Sequence, residues 1–121
     1  MLQILPDFPP HVVAAKATGE VTKTDFETIL VPAFEHASVT YGEIYFLLEI
    51  DTDITNFTWG AWWEDFKAGI DHFTKWKKIA IVTDSAAVEK FSDFFSILTP
   101  GSSKGFKKHE FQEARDWISQ K

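Results

Sequence analysis

The chain has 121 residues, with 18 Asp and Glu against 12 Lys and Arg, a net charge of −6 and no cysteine. That length fits one domain, which buries roughly two-thirds of its unfolded surface and needs no staple. The acidic balance disfavours a phosphate-tracking nucleic-acid surface and plain electrostatic attraction to anionic lipid, and zero Cys removes disulfides, thiolate nucleophiles and zinc–thiolate sites together.

Apolar residues make up 45% of the chain and charged residues 25%, which argues against disorder. Aromatics are abundant at 16%, with twelve Phe and five Trp. The opening "MLQILPDFPP" has neither a basic region nor a long apolar run, so it does not read as a signal peptide. No stretch approaches the roughly 20 apolar residues of a transmembrane helix. The expectation is a cytoplasmic protein of one domain over residues 1–121.

In chain order, residues 2–5 read as a short strand and "PDFPP" as a turn, because Pro fixes φ and supplies no donor. "HVVAAKATG" (residues 11–19) is strand-like and ends at Gly19. A helix is expected next. Thr22 can cap it, Asp25 follows three residues later, and Phe26, Ile29, Leu30, Ala33, Phe34 and Ala37 recur at helical spacing. Pro32 falls inside this helix and is expected to kink or split it. "EIYFLLEID" (residues 43–51) reads as a central strand, with Ile44 to Leu48 buried on both faces. After the polar "DTDITNFT", residues 59–73 read as a second helix. "KKIAIVTD" (residues 77–84) reads as another buried strand, and residues 85–98 as a third helix capped by Asp84 or Ser85. "TPGSSKG" reads as a loop, "FKKHE" as a short edge strand, and "EFQEARDWIS" as a final amphipathic helix through Phe111, Ala114, Trp117 and Ile118. Strands alternating with helices argue for an α/β fold with a mixed sheet.

"GEVTKTDFETILVPAFEH", "KKIAIVTD" and "FQEARDWI" carry a resemblance to the SpoIIAA-like family, small bacterial proteins that share the fold of STAS and CRAL-TRIO domains. The resemblance spans nearly the whole chain. It implies a four- to five-stranded mixed sheet flanked by about four helices, and no established enzyme activity. STAS proteins of the anti-sigma-factor-antagonist type carry a phosphorylatable Ser in the turn after a central strand. Here the matching turn offers Thr52, Thr55 and Thr58 but no Ser, which disfavours a phosphoswitch. CRAL-TRIO domains hold apolar molecules beneath mobile helices, so the resemblance also implies a nonpolar cavity.

The two internal helices bear on that implication. Trp59, Trp62, Trp63, Phe66, Ile70 and Phe73 share one helical arc. On the next helix Val88, Phe91, Phe94, Phe95 and Leu98 form a similar stripe with Ala87. Each large aromatic buries roughly 150–250 Å². Three indoles on two turns therefore represent about 500 Å², as large as the greatest exposed apolar patch of an ordinary monomer. Hiding that area is worth on the order of 10 kcal/mol as an upper bound, so something covers it. Core packing explains any one of these rings. The cluster points to a pocket between the sheet and these helices for an apolar, lipid-like molecule. Gly60 and Gly69 lower local helix stability by roughly 1 kcal/mol each, which suits a helix that swings and touches a membrane transiently at its periphery.

A second reading is a STAS-type interaction module in which the stripe docks a partner or a second copy of the chain as a homodimer. A third is an enzyme activated at an apolar interface. Residues 11, 36, 72 and 109, the four His, lie in four separate segments, so no metal or other cofactor is called for. Glu49 and Asp51 alternate on one strand face and could pair with Asp53, but no acid–base partner is visible and no catalytic set is named. The one basic cluster, "KGFKKHE" from Lys104 to Glu110, is small.

Overall fold

The computed structural model describes residues 1–20, 22–51, 76–83 and 102–120. Its centre is a five-stranded sheet in the order β1-β2-β3-β4-β5, made of Leu2–Ile4, Val12–Thr18, Ile44–Asp51, Trp76–Val82 and Ser102–Phe106. β1 runs antiparallel to β2, and the other three pairings are parallel. The sheet is therefore mixed and the fold α/β, as the alternation of elements implies.

β3 is central. Residues Ile44 to Leu48 are all buried, as are Ile79 to Val82 on β4. Alternate residues face opposite sides and both sides are covered, which explains the continuous apolar runs. One face gathers Val13, Ala15, Phe46, Leu48, Ile79 and Ile81 against Leu30, Phe34 and Ala37. The other gathers Ala14, Tyr45, Leu47, Ala80, Val82 and Phe106 against Ala114 and Ile118.

The first face is covered by the segment between β2 and β3. It opens with α1 (Lys23–Asp25), passes through a π-helical stretch, Phe26–Leu30, and continues as α2 (Val31–Tyr41). Its start is the reciprocal cap suggested by Thr22 and Asp25. The Thr22 N–H donates to the Asp25 carboxylate and the Asp25 N–H donates to the Thr22 hydroxyl, both at 3.2 Å. Pro32 interrupts the α ladder without splitting the helix, which runs from α1 through the π stretch into α2. It stands in the first turn of α2, where its missing N–H costs least, and the wider π ladder occupies the turn ahead of it. Gly42 ends α2 in the left-handed region at φ +74°, with its N–H donating to Ser38 O at 3.1 Å.

The opposite face is covered by α3 (Phe111–Ser119), which follows a 3-10 turn over Lys108–Glu110. Ala114 and Ile118 are fully enclosed, and Phe111 and Trp117 pack at the margin, the stripe that the spacing predicted. The carbonyls at the C-terminal end of α3 are met from the sheet side. Lys78 Nζ donates to Trp117 O at 3.0 Å and Gln120 O at 2.9 Å, and stands over the Trp117 ring. His11 is buried edge-on against Tyr45, and its Nε2–H donates to Ser119 O at 3.0 Å. A carbonyl only accepts, so Nε2 carries the proton. A lysine at a helix C-terminus also complements the negative end of the helix dipole.

Two elements differ from the sequence reading. "FKKHE" is not the edge strand: β5 is Ser102–Phe106, and the chain turns at Lys107. The small residues before Phe106 have weak strand propensity, and parallel pairing with β4 overrides it. Strand β4 also begins earlier, at Trp76. Ile44 pairs with Trp76 and Tyr45 with Lys78, so Lys77 is an extra residue. This bulge turns Trp76 onto the α2 face, where it meets Phe34 edge-on at 5.0 Å and Phe46 at 6.4 Å. The helices expected over residues 59–73 and 85–98, and the cap at Asp84 or Ser85, lie outside the described residues.

A Cβ on Gly42 would meet nothing within 4 Å, so Gly42→Ala isolates the backbone term. Chemical denaturation is expected to show a loss of about 1–2 kcal/mol. Lys78→Met keeps the stem but removes the donor, which is expected to cost about 1–3 kcal/mol, and hydrogen exchange is expected to rise in α3 before the rest of the sheet.

Candidate functional site at the carboxyl ends of the parallel strands

Because β2 to β5 are parallel, their carboxyl ends share one edge of the sheet. Open α/β sheets receive ligands at this edge where the strand order reverses; β2 to β5 step one way, so here the edge is singled out by its side chains. Thr18, Asp51, Val82 and Phe106 are the last strand residues here. Thr83 follows β4, is buried, and extends the ladder by donating its N–H to Phe106 O at 3.0 Å. Both aromatic segments of the sequence begin beyond this edge, one after Asp51 and one after Thr83.

The charged groups at this edge come from three parts of the chain. Lys16 follows Val12 and Ala14 on the α3 face of β2 and lies opposite Glu49 in the β2–β3 ladder. Asp51 closes β3 on the same face. Lys108 enters from the turn after β5. The Asp51 carboxylate accepts a hydrogen bond from Lys108 Nζ on Oδ1 and faces Lys16 Nζ at 3.7 Å from Oδ2. The hydrogen bond and charge of Lys108, with a smaller contribution from Lys16, hold the Asp51 carboxyl below the usual carboxylate range. The sequence left a carboxylate pair of Glu49 or Asp51 with Asp53 open and named no acid–base partner; Asp51 instead has two ammonium partners, and Asp53 lies outside the described residues.

At the opposite, amino-terminal edge, Tyr45 donates its hydroxyl proton to Glu43 Oε2 at 3.0 Å. Burial pushes the Tyr45 phenol up, and the neighbouring Glu43 carboxylate adds to the shift. This keeps the phenol neutral and structural.

The binding residues suggested by the sequence, Trp59, Trp62, Trp63, Phe66, Ile70, Phe73, Val88, Phe91, Phe94, Phe95 and Leu98, all lie outside the described residues. The aromatic trio that the described structure does bring together is Phe34, Phe46 and Trp76, inside the core. The sequence reading missed the convergence of Lys16 and Lys108 on Asp51. The alternation Val12, Ala14, Lys16 hinted that a lysine leaves the apolar face near the strand end, but only the sheet brings Lys108 beside it. Among the described residues, no three His, Cys, Asp or Glu side chains gather as a metal site, and no helix is long and apolar enough to cross a membrane.

A carboxyl held low stabilises the fold above its unfolded pKa and loses that contribution as pH falls through its folded pKa. The Asp51 side-chain carbon resonance is therefore expected to titrate in more acidic solution than an ordinary aspartate. In Lys108→Met it is expected to move back toward the ordinary range. An unshifted titration in the unmodified protein would remove the proposed role of the lysines.

The family model described as SpoIIAA-like matches residues 12–119. The chain is also similar to the crystal structure of an uncharacterized protein of the DUF3478 family, with a SpoIIAA-like fold, from Shewanella loihica PV-4. The two are 26% identical, the match covers 97% of this chain and 93% of that one, and the TM-score is 0.69. No curated protein matches it. The β2–α2–β3 unit, the buried β4 and the C-terminal α3 all fall within the matched span, and the chain belongs to the SpoIIAA-like family.

Proposed function

We propose that the protein binds or carries an apolar, lipid-like molecule between the sheet and the aromatic segments 59–73 and 85–98, and that it touches membranes transiently through them. The observation that carries this reading is the order and sense of the strands. β2, β3, β4 and β5 are parallel and step across the sheet in one direction. Parallel crossovers are right-handed in about 98% of cases. Crossovers of one hand, stepping one way, fall on one face. The β2-to-β3 crossover covers the Phe46 face with α2. The same rule would put the connections from β3 to β4 and from β4 to β5, which lie outside the described residues, on that face.

Both aromatic stripes would then meet one wall of β4, made of Ile79 and Ile81. Among the described elements, α2 packs on β2 and β3, and α3 packs on the opposite face of β3 and β4. Two aromatic stripes set against one aliphatic wall would form an apolar layer, suited to hydrocarbon rather than to a polar metabolite. Trp at its mouth would keep the indole N–H wet while burying the ring.

Lipids extracted from the purified protein and identified by mass spectrometry would name the occupant. In the delipidated protein, an apolar fluorescent probe and phosphatidylcholine vesicles are expected to shift the Trp emission. The double substitution Trp62→Ala, Trp63→Ala is expected to weaken probe binding about tenfold or more, with the far-ultraviolet spectrum retained. The absence of both co-purified lipid and probe binding overturns the reading. A concentration-dependent dimer lost in the same double variant would instead assign the stripe to self-association.

A further inference from the structure

We propose that Lys16 and Lys108 form a seat for a phosphate monoester or a similar tetrahedral oxyanion at the carboxyl ends of β2 and β3, with Asp51 occupying the seat when the anion is absent. The proposal does not rest on the apolar-carrier reading, because the seat lies on the α3 face and uses other residues.

Geometry is the first support. Two ammonium groups 92 positions apart in sequence meet the two different oxygens of one carboxylate. A pair of cations bridged by one carboxylate has the spacing needed to bridge one phosphate through two of its oxygens. Phosphate carries up to twice the charge and one more acceptor. Placement is the second support, since Asp51 ends β3 and Lys108 follows β5, so the two lysines converge where the ladder ends and their side chains reach water.

Charge placement is the third. The chain carries −6 overall, and its one basic cluster in sequence, Lys104 to Glu110, lands at this edge. Lys104 lies over the Phe106 ring beside it. β2 adds Lys16 on the same face, from across β3.

The present occupant is weakly held. The side chains of Lys16, Lys108 and Asp51 keep 33%, 37% and 43% of their exposure, and ion pairs this open to water contribute little net stability. A dianion that meets both ammonium groups therefore loses little by displacing Asp51. Glu49, opposite Lys16 in the ladder, opposes a general build-up of anions. It favours a ligand that engages both lysines at short range over a monovalent counter-ion.

The test uses the full chain at neutral pH and moderate salt, with inorganic phosphate followed by the side-chain resonances of the lysines. Saturable shifts are expected at Lys16 and Lys108. Lys16→Met and Lys108→Met are each expected to weaken binding about tenfold. Asp51→Asn is expected to tighten it severalfold, because one competing carboxylate is gone. Glu35→Gln, an exposed charge on α2 away from the seat, controls for net charge and is expected to leave binding unchanged. A purely structural ion-pair cluster predicts no gain in Asp51→Asn beyond that control, and this result overturns the proposal, as does equal binding by the lysine variants.

A second arm uses phosphatidylcholine vesicles with and without phosphatidic acid. Phosphatidic-acid-dependent binding that is lost in the lysine variants assigns the phosphate to a lipid headgroup. Binding of inorganic phosphate alone assigns it to a soluble phosphate. No binding in either arm overturns the seat.

Discussion

Most of this structure follows from one constraint, the burial of β3 on both faces. A strand with Ile44, Phe46 and Leu48 on one side and Tyr45 and Leu47 on the other cannot leave either side wet. Its neighbours β2 and β4 are parallel to it, so each must be reached by a crossover, and the one between β2 and β3 covers one face with α2. The chain then solves the second face differently, by sending α3 across it after the last strand. Strand sense, helix placement and the two-sided core are one solution to one burial problem.

That solution creates polar ends that the apolar layers cannot satisfy, and the structure answers them with cations. At the amino-terminal edge, Lys78 and His11 meet the last carbonyls of α3 and tie the turn before β2 to the end of the chain. At the carboxyl-terminal edge, Asp51 is held between Lys16 and Lys108. The first arrangement is enclosed and closes a helix. The second is open to water, and is the better placed of the two to exchange its partner.

Much of the fold was legible from local chemistry. The reciprocal cap of Thr22 and Asp25, the interruption at Pro32, and the buried runs of β3 and β4 depend on residues a few positions apart, so their spacing alone shows them. The stripe of Ala114 and Ile118 was visible for the same reason. β5 was misplaced because Ser102 to Gly105 have little strand preference of their own and pair only because β4 is there. Trp76 was missed as a core residue because a bulge at Lys77 breaks the alternation that would have oriented it. The aromatic residues singled out as a binding surface lie outside the described residues.

The sequence by itself determined the fold class and the family resemblance, because period, caps and breakers act over one or two turns of chain. It also raised the expectation that the aromatic residues of 59–73 and 85–98, if helical, need cover, since their area alone requires it. Only the tertiary structure decided what meets across distance: Lys16 with Asp51 and Lys108, Lys78 and His11 with the end of α3, and Trp76 with Phe34. These contacts depend on strand order and register, and no local pattern encodes which distant lysine a given aspartate will find.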